Sequence, residues 1–194
     1  MEEKILNEKE SLEIISQMIR NTKHKLESGK GKPFLIFGYI SIAVSIAVYA
    51  LLVKTDSFYV NLLWWAIPVL GGLTMFAFGR IENKYVKTYI DRTINTIWGV
   101  IGTAMILISF SAFFVHNLPM VSLMLLLSGM ATTLTGFIIK YPVIIICGIL
   151  GTLTCAIPFI VNGYAQVLIF AVAIFIMMVI PGHILNFKGK NTNV

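Results

Sequence analysis

The chain has 194 residues, 57% of them hydrophobic and only 12% charged, against roughly a quarter charged in soluble globular proteins. That composition excludes a water-soluble domain, and the absence of strand-period alternation excludes a membrane β-barrel. The formal net charge of +6 sits mostly outside the apolar runs, where it points to anionic lipid headgroups as partners and not to nucleic acid.

The chain opens with a polar and charged segment, residues 1–32, which is expected to be a cytoplasmic helix followed by an uncleaved first span. "NEKESLEIISQMIRNTKHKLESGKGK" carries a capping-box pattern at Asn7 and Glu10. Leu12, Ile15, Ile19, Thr22 and Leu26 recur at helical spacing, giving one apolar stripe. The segment is net acidic up to Glu13 and net basic from Ile14 to Lys32, so its basic half adjoins the membrane. Gly29 and Gly31 are expected to end this helix.

A hydrocarbon core of about 30 Å needs about 20 apolar residues in helix. Six runs meet that length: Pro33–Val53, Val60–Phe78, Ile94–Val115, Pro119–Ile139, Pro142–Ile160 and Gln166–Leu185. Only Lys54, Asp56, the stretch Arg80 to Arg92, and Lys140 interrupt the apolar sequence between Pro33 and Leu185. A charge inside hydrocarbon costs about 2.5 kcal/mol or more, so each interruption reads as a loop. Pro33, Pro119 and Pro142 stand at helix starts, where a missing N–H costs nothing, while Pro68 and Pro158 are expected to kink the second and fifth spans.

Of the 15 Lys and Arg residues, all but Lys54 fall on one side of these crossings. The positive-inside rule then puts both termini and the 188–194 tail in the cytoplasm. Trp64, Trp65, Phe58 and Tyr59 would mark the outer interface; Trp98, Tyr141, Phe34 and Phe187 would mark the inner one. In "RIENKYVKTYIDRTINTIW" apolar residues recur every four positions, so the third span is expected to continue into the cytoplasm as helix. The N-terminal stripe would pack on this extension, its acidic half facing Arg80, Lys84 and Lys87.

The fourth and fifth spans echo each other at an offset of 19 residues, "GMATTLTG" over "GILGTLTC". Gly129, Thr132, Thr133 and Gly136 share one helix face, as do Gly148, Gly151, Thr152 and Cys155. Such seams let helix backbones approach, and the short turn at Lys140–Tyr141 makes the two helices antiparallel neighbours. Thr135 and Thr154 lie off the seams and are expected to bond back to their own helix carbonyls. Packing is the first reading of these threonines; the second is a polar cavity lined by Thr132, Thr133, Thr135 and Asn162, with Thr152 on the facing helix. Cys147 and Cys155 cannot bridge each other, since they stand about 12 Å apart along one helix against roughly 6 Å needed.

Residues for catalysis are scarce. No paired carboxylates, HExxH, glycine-rich phosphate loop or GxSxG occurs, so the chain is expected to be no enzyme and to need no cofactor or metal. In "IPGHILNF", Pro181 and Gly182 loosen the end of the sixth span; His183 there is either a pH switch or a histidine at a kinked helix terminus.

Five stretches, "ESLEIISQMI", "KPFLIFGY", "YIDRTINTIW", "GMATTLTGFIIKYP" and "NGYAQVLIFAVAIFIMMVIPGHILN", resemble a group of small bacterial inner-membrane proteins along nearly the whole chain. The resemblance implies six helices and a bacterial inner-membrane location; it implies no activity and no functional residue. The expected fold is all-α, a polytopic protein with six transmembrane helices in a compact bundle and an N-terminal cytoplasmic amphipathic helix. Two functions follow. The leading one is a non-enzymatic interaction or regulatory protein that binds a partner, or a second copy of itself, through Leu12, Ile15, Ile19, Leu26, Arg80, Lys84 and Lys87. The alternative is a small transporter or channel for a neutral or hydrophobic solute, working as an oligomer.

Overall fold

The structure is a computed structural model that describes residue 13 and residues 31–55, 57–81, 89–112, 114–115, 118–161 and 163–191. Among the described residues there are helices and turns but no strands. Six helices are long and apolar enough to cross a membrane: Gly31–Thr55, Tyr59–Ala77, Tyr89–Ser111, Met120–Ile139, Pro142–Ile160 and Ala165–Phe187. They are spans 1 to 6 in chain order. Their mean hydropathy is 2.3, 2.5 and 2.6 in spans 1, 5 and 6 but 1.6 in spans 2 and 3.

Boundaries move by a few residues from the sequence expectation. Span 1 is described from Gly31, which is already helical, so Pro33 lies within this helix. Span 3 is helical from its first described residue, Tyr89, and takes in Asp91 and Arg92 before its apolar run; it stops at Ser111, short of Val115. Prolines act inside three spans, each by withholding one N–H from the helical ladder. Span 2 starts as a tight 3₁₀ helix, Phe58–Trp65, and becomes α-helical from Ala66 just ahead of Pro68. Span 5 breaks at Cys155–Ala156 and resumes as the single turn Ile157–Ile160 around buried Pro158. Span 6 widens into a π-helical turn, Phe175–Val179, directly before Pro181. Pro181 and Gly182, expected to loosen the end of a span closing near Leu185, lie inside the helix, which runs on to Asn191. The wider turn absorbs the missing bond, so the proline bends the ladder without ending it.

Spans 1 and 6 run antiparallel in close contact. A Cβ on Gly38 would stand 2.9 Å from Val179 Cγ2, and one on Gly182 would stand 2.9 Å from Leu35 Cδ2. Farther along, Val44, Val48 and Leu52 of span 1 pack with Val60 and with Val167 of span 6. Span 5 joins this core through Gly151, whose missing side chain leaves room for Met177.

Spans 4 and 5 form a helical hairpin. Lys140 adopts the left-handed conformation, φ 57°, at the turn. Its N–H donates to Phe137 O at 3.2 Å and the Tyr141 N–H donates to Gly136 O at 3.0 Å, the pairing of a Schellman cap, which satisfies the last carbonyls of span 4. Beyond the turn, residues equally distant from it meet: Gly136 with Ile145, Thr133 with Gly148, and Gly129 with Thr152. A Cβ on Gly129 would stand 2.6 Å from the Thr152 nitrogen, and one on Gly148 would stand 2.6 Å from the Thr133 nitrogen. Each glycine therefore receives the threonine of the other helix. The 19-residue echo in the sequence is the imprint of this local two-fold packing.

Burial elsewhere is uneven. In the most apolar stretch of span 6, 56% of residues are buried, against 11% in span 2 and 0% in span 3. Span 2 packs on span 1, where Gly71 takes the ring of Phe37 against its backbone. Span 3 packs on span 4, and spans 2 and 3 hardly touch each other among the described residues.

Candidate functional site, an apolar crevice beside spans 2 and 3

The uneven packing leaves a cavity of about 790 Å³ walled by spans 1, 2, 3, 4 and 6. That volume lies in the range of roughly 300–1,000 Å³ typical of small-molecule sites. On span 3 its lining runs from Asp91 to Ser109, a helical rise of about 27 Å that nearly matches a hydrocarbon core of about 30 Å. The crevice thus extends along most of the apolar depth of the protein.

Its wall is built from large, soft side chains. Trp64, Trp65 and Trp98, all 3 tryptophans of the chain, line it, as do Met75, Met105, Met120, Met124 and Met178. Two of the indoles are fixed by edge-on ring contacts. Trp98 meets Phe34 with centroids 5.9 Å apart and planes at 87°; Trp64 meets Phe170 at 5.1 Å and 89°. Such T-shaped pairs suit the aromatic quadrupole and lock the ring orientation. The methionines add flexible, polarizable surface that conforms to varied apolar shapes.

Polar side chains in the wall are largely turned back onto the protein. Trp98 Nε1 donates to Thr135 Oγ1 at 3.1 Å, and Thr135 Oγ1 donates in turn to Ala131 O at 2.7 Å. Ser128 Oγ donates to Met124 O at 2.6 Å. Gln166 Nε2 donates to Pro158 O at 2.9 Å and to Val161 O at 2.8 Å, closing the broken end of span 5. The lining is otherwise mostly apolar; its further polar residues are Asp91 and Asn95 at one end, Asn61 at the other, and Ser41, Ser109 and Tyr164.

The candidates from sequence divide among three places. Thr133 and Thr152 lie in the hairpin seam, each donating to its own helix at Gly129 O (2.8 Å) and Gly148 O (2.9 Å). Thr132 is fully buried and donates to Ser128 O at 2.8 Å. Of the candidate cavity threonines only Thr135 borders the crevice, so these residues do not converge on one polar cavity. His183 is exposed on another face, where its Nε2 stands 2.7 Å from Tyr39 Oη. Asn162, Leu12, Ile15, Ile19, Leu26, Lys84 and Lys87 lie outside the described residues, and of Arg80 only its place near the end of the span 2 helix is described.

Sequence reasoning passed over the crevice residues. Trp64, Trp65 and Trp98 read as interface markers, and Met75, Met105 and Met124 carry no signal apart from the apolar runs that hold them. A usable signal was present in the lower hydropathy of spans 2 and 3, together with three helical glycines, Gly72, Gly99 and Gly102, whose missing side chains face nothing within 4 Å.

Among the described residues no group of three His, Cys, Asp or Glu is placed to hold a metal ion. The fold and the crevice define a helical membrane protein with an elongated, mostly apolar crevice among its spans. Compared with protein-family models, with curated proteins and with solved structures, the chain shows no match.

Proposed function

We propose that this protein binds a neutral hydrophobic solute in the crevice and passes it along the membrane-crossing direction, as a small transporter or carrier. The observation that carries this reading is the cavity of about 790 Å³, lined by indoles and thioethers and running most of the depth of the spans. Among the described residues its lining holds one carboxylate, Asp91, and neither histidine nor cysteine, which suits binding and passage better than acid–base chemistry. One chain supplies the five spans that wall the cavity, so the proposal needs no oligomer. The 3₁₀-to-α change ahead of Pro68 and the break ahead of Pro158 supply places where walls can shift with little loss of helical bonding.

The protein is placed by this proposal in a bacterial inner membrane, as the family resemblance suggests, with both termini cytoplasmic and its basic end on anionic headgroups. The partner-binding reading of the N-terminal stripe and the basic loop has sequence pattern alone behind it and stands second.

The test is a titration of the purified full-length chain in neutral detergent with N-phenyl-1-naphthylamine, read by energy transfer from the tryptophans. Saturable binding is expected, near one probe per chain, and it should fall at least fivefold in Gly102→Leu, which fills the crevice. Partitioning without saturation, identical in the two proteins, would overturn the proposal.

A further inference from the structure

We infer that the resident occupant of the crevice is the acyl chain of a bilayer phospholipid, admitted sideways between spans 2 and 3. This rests on the reading of the crevice as a solute site and specifies the solute.

The shape is the first argument. A lining that follows span 3 from Asp91 to Ser109 is long in the direction of lipid chains, about 27 Å by helical rise, so it suits a linear hydrocarbon better than a compact ring system. The wall chemistry agrees. Met75, Met105 and Met124 come from three different spans and face the cavity, giving a surface that follows a chain as its torsions change. With Thr135, Ser128 and Gln166 engaged by their own helices or neighbouring carbonyls, the wall is mostly apolar, its hydroxyls at Ser41 and Ser109 standing among aromatic, aliphatic and methionine side chains.

The second argument is the route of entry. Span 2 is fastened to span 1 and span 3 to span 4, and the two hardly touch among the described residues. The gap between them faces the bilayer, where acyl chains are the most concentrated apolar species, so even weak affinity fills the site by mass action. An unfilled apolar volume of this size would forfeit the dispersion contacts of its whole lining.

Glycine placement is the third. Gly129, Gly148, Gly38 and Gly182 bring helices together, each with a neighbour within 3 Å of where a Cβ would stand. Gly72 on span 2 and Gly102 on span 3 have nothing within 4 Å, and both line the crevice. They keep these two walls free of side-chain bulk at both positions. Gly99, on the same helix as Gly102, is equally open but lies outside the lining, and so supplies a matched control.

The experiment uses the full-length chain carrying Trp64→Phe and Trp65→Phe, leaving Trp98 as the sole indole. It is reconstituted in phosphatidylcholine vesicles with a rising fraction of lipid dibrominated in the acyl chain. Bromine quenches only on contact, so Trp98 emission should fall by at least half. Gly102→Leu should weaken that quenching twofold or more, and Gly99→Leu should leave it unchanged. Gly72→Leu repeats the test from the opposite wall, should Gly102→Leu fail to fold. Equal quenching in the crevice-filling and control variants would show contact with surrounding lipid alone and overturn the inference. Absence of quenching, with the two spans crosslinking to a second copy, would overturn it as well. If the naphthylamine probe still binds saturably in either case, the solute reading survives and only its lipid identity falls; if that binding is also lost, both fall.

Discussion

Spans 4 and 5 and spans 2 and 3 are both consecutive pairs with glycines along them, yet they use those glycines in opposite ways. In the 4–5 hairpin Gly129 and Gly148 take Thr152 and Thr133 against their backbones. In spans 2 and 3, Gly72 and Gly102 meet no neighbour and border a cavity. A small residue removes side-chain bulk, and whether the space is taken by another backbone or left open depends on how the helices are held. The hairpin has a turn of two residues, capped through Lys140 and Tyr141, which forces its helices into register. Spans 2 and 3 are instead each fastened to a different neighbour. The difference teaches that a small-residue seam in a membrane helix is permission for contact, and that connection and partner decide whether contact follows.

The largest effect should come from closing the hairpin seam. Gly129→Leu drives a side chain into the Thr152 backbone and should destabilise the protein by about 3 kcal/mol or more, at the upper end of overpacking costs. Gly102→Leu, the same change in open space, should cost less than about 0.5 kcal/mol. Unfolding of the two variants in mixed micelles measures the contrast, and equal losses would erase it.

The turn can be sharpened in the other direction. Lys140 carries its side chain at φ 57°, a conformation that costs a non-glycine residue about 1 kcal/mol. Lys140→Gly should therefore raise stability by about that amount in the same assay; a loss would mean that the lysine side chain itself holds the turn.

The smallest expected effect tests what ties span 3 down. Thr135→Val removes the acceptor of the Trp98 indole N–H and should cost about 0.6 kcal/mol, the average for a side-chain hydrogen bond within a membrane. Trp98 emission should shift as the ring is freed, whereas Thr132→Val, at a threonine bonded only to its own helix, should leave the emission unchanged. An equal shift in both variants would show that the indole bond does not position span 3.

Much of the fold was legible before any coordinates. Six helices follow from the lengths of the apolar runs, because leaving a backbone polar group unpaired in hydrocarbon costs several kcal/mol and helix is the local way to avoid it. The antiparallel 4–5 pair follows from the brevity of the link at Lys140–Tyr141, and the inward bonds of Thr135 and Thr154 from the reach of a threonine hydroxyl to the preceding turn. The π turn before Pro181 was not legible, since a proline in a helix is compatible with a stop, a kink or a widened turn. Neither was the role of Gln166, which closes carbonyls of a helix break that only the fold creates.

Sequence by itself determined how many helices are apolar enough to cross and where they turn. Tertiary structure alone decided which glycines touch a neighbour, that all 3 tryptophans share one cavity, and that span 3 stays at the edge with 0% of its apolar stretch buried. The physical reason is that lipid is as apolar as a protein core. In water a buried face is written into the sequence as a hydrophobic stripe, but in a bilayer every face of a span is apolar, and the choice between helix, lipid and open crevice is left to shape.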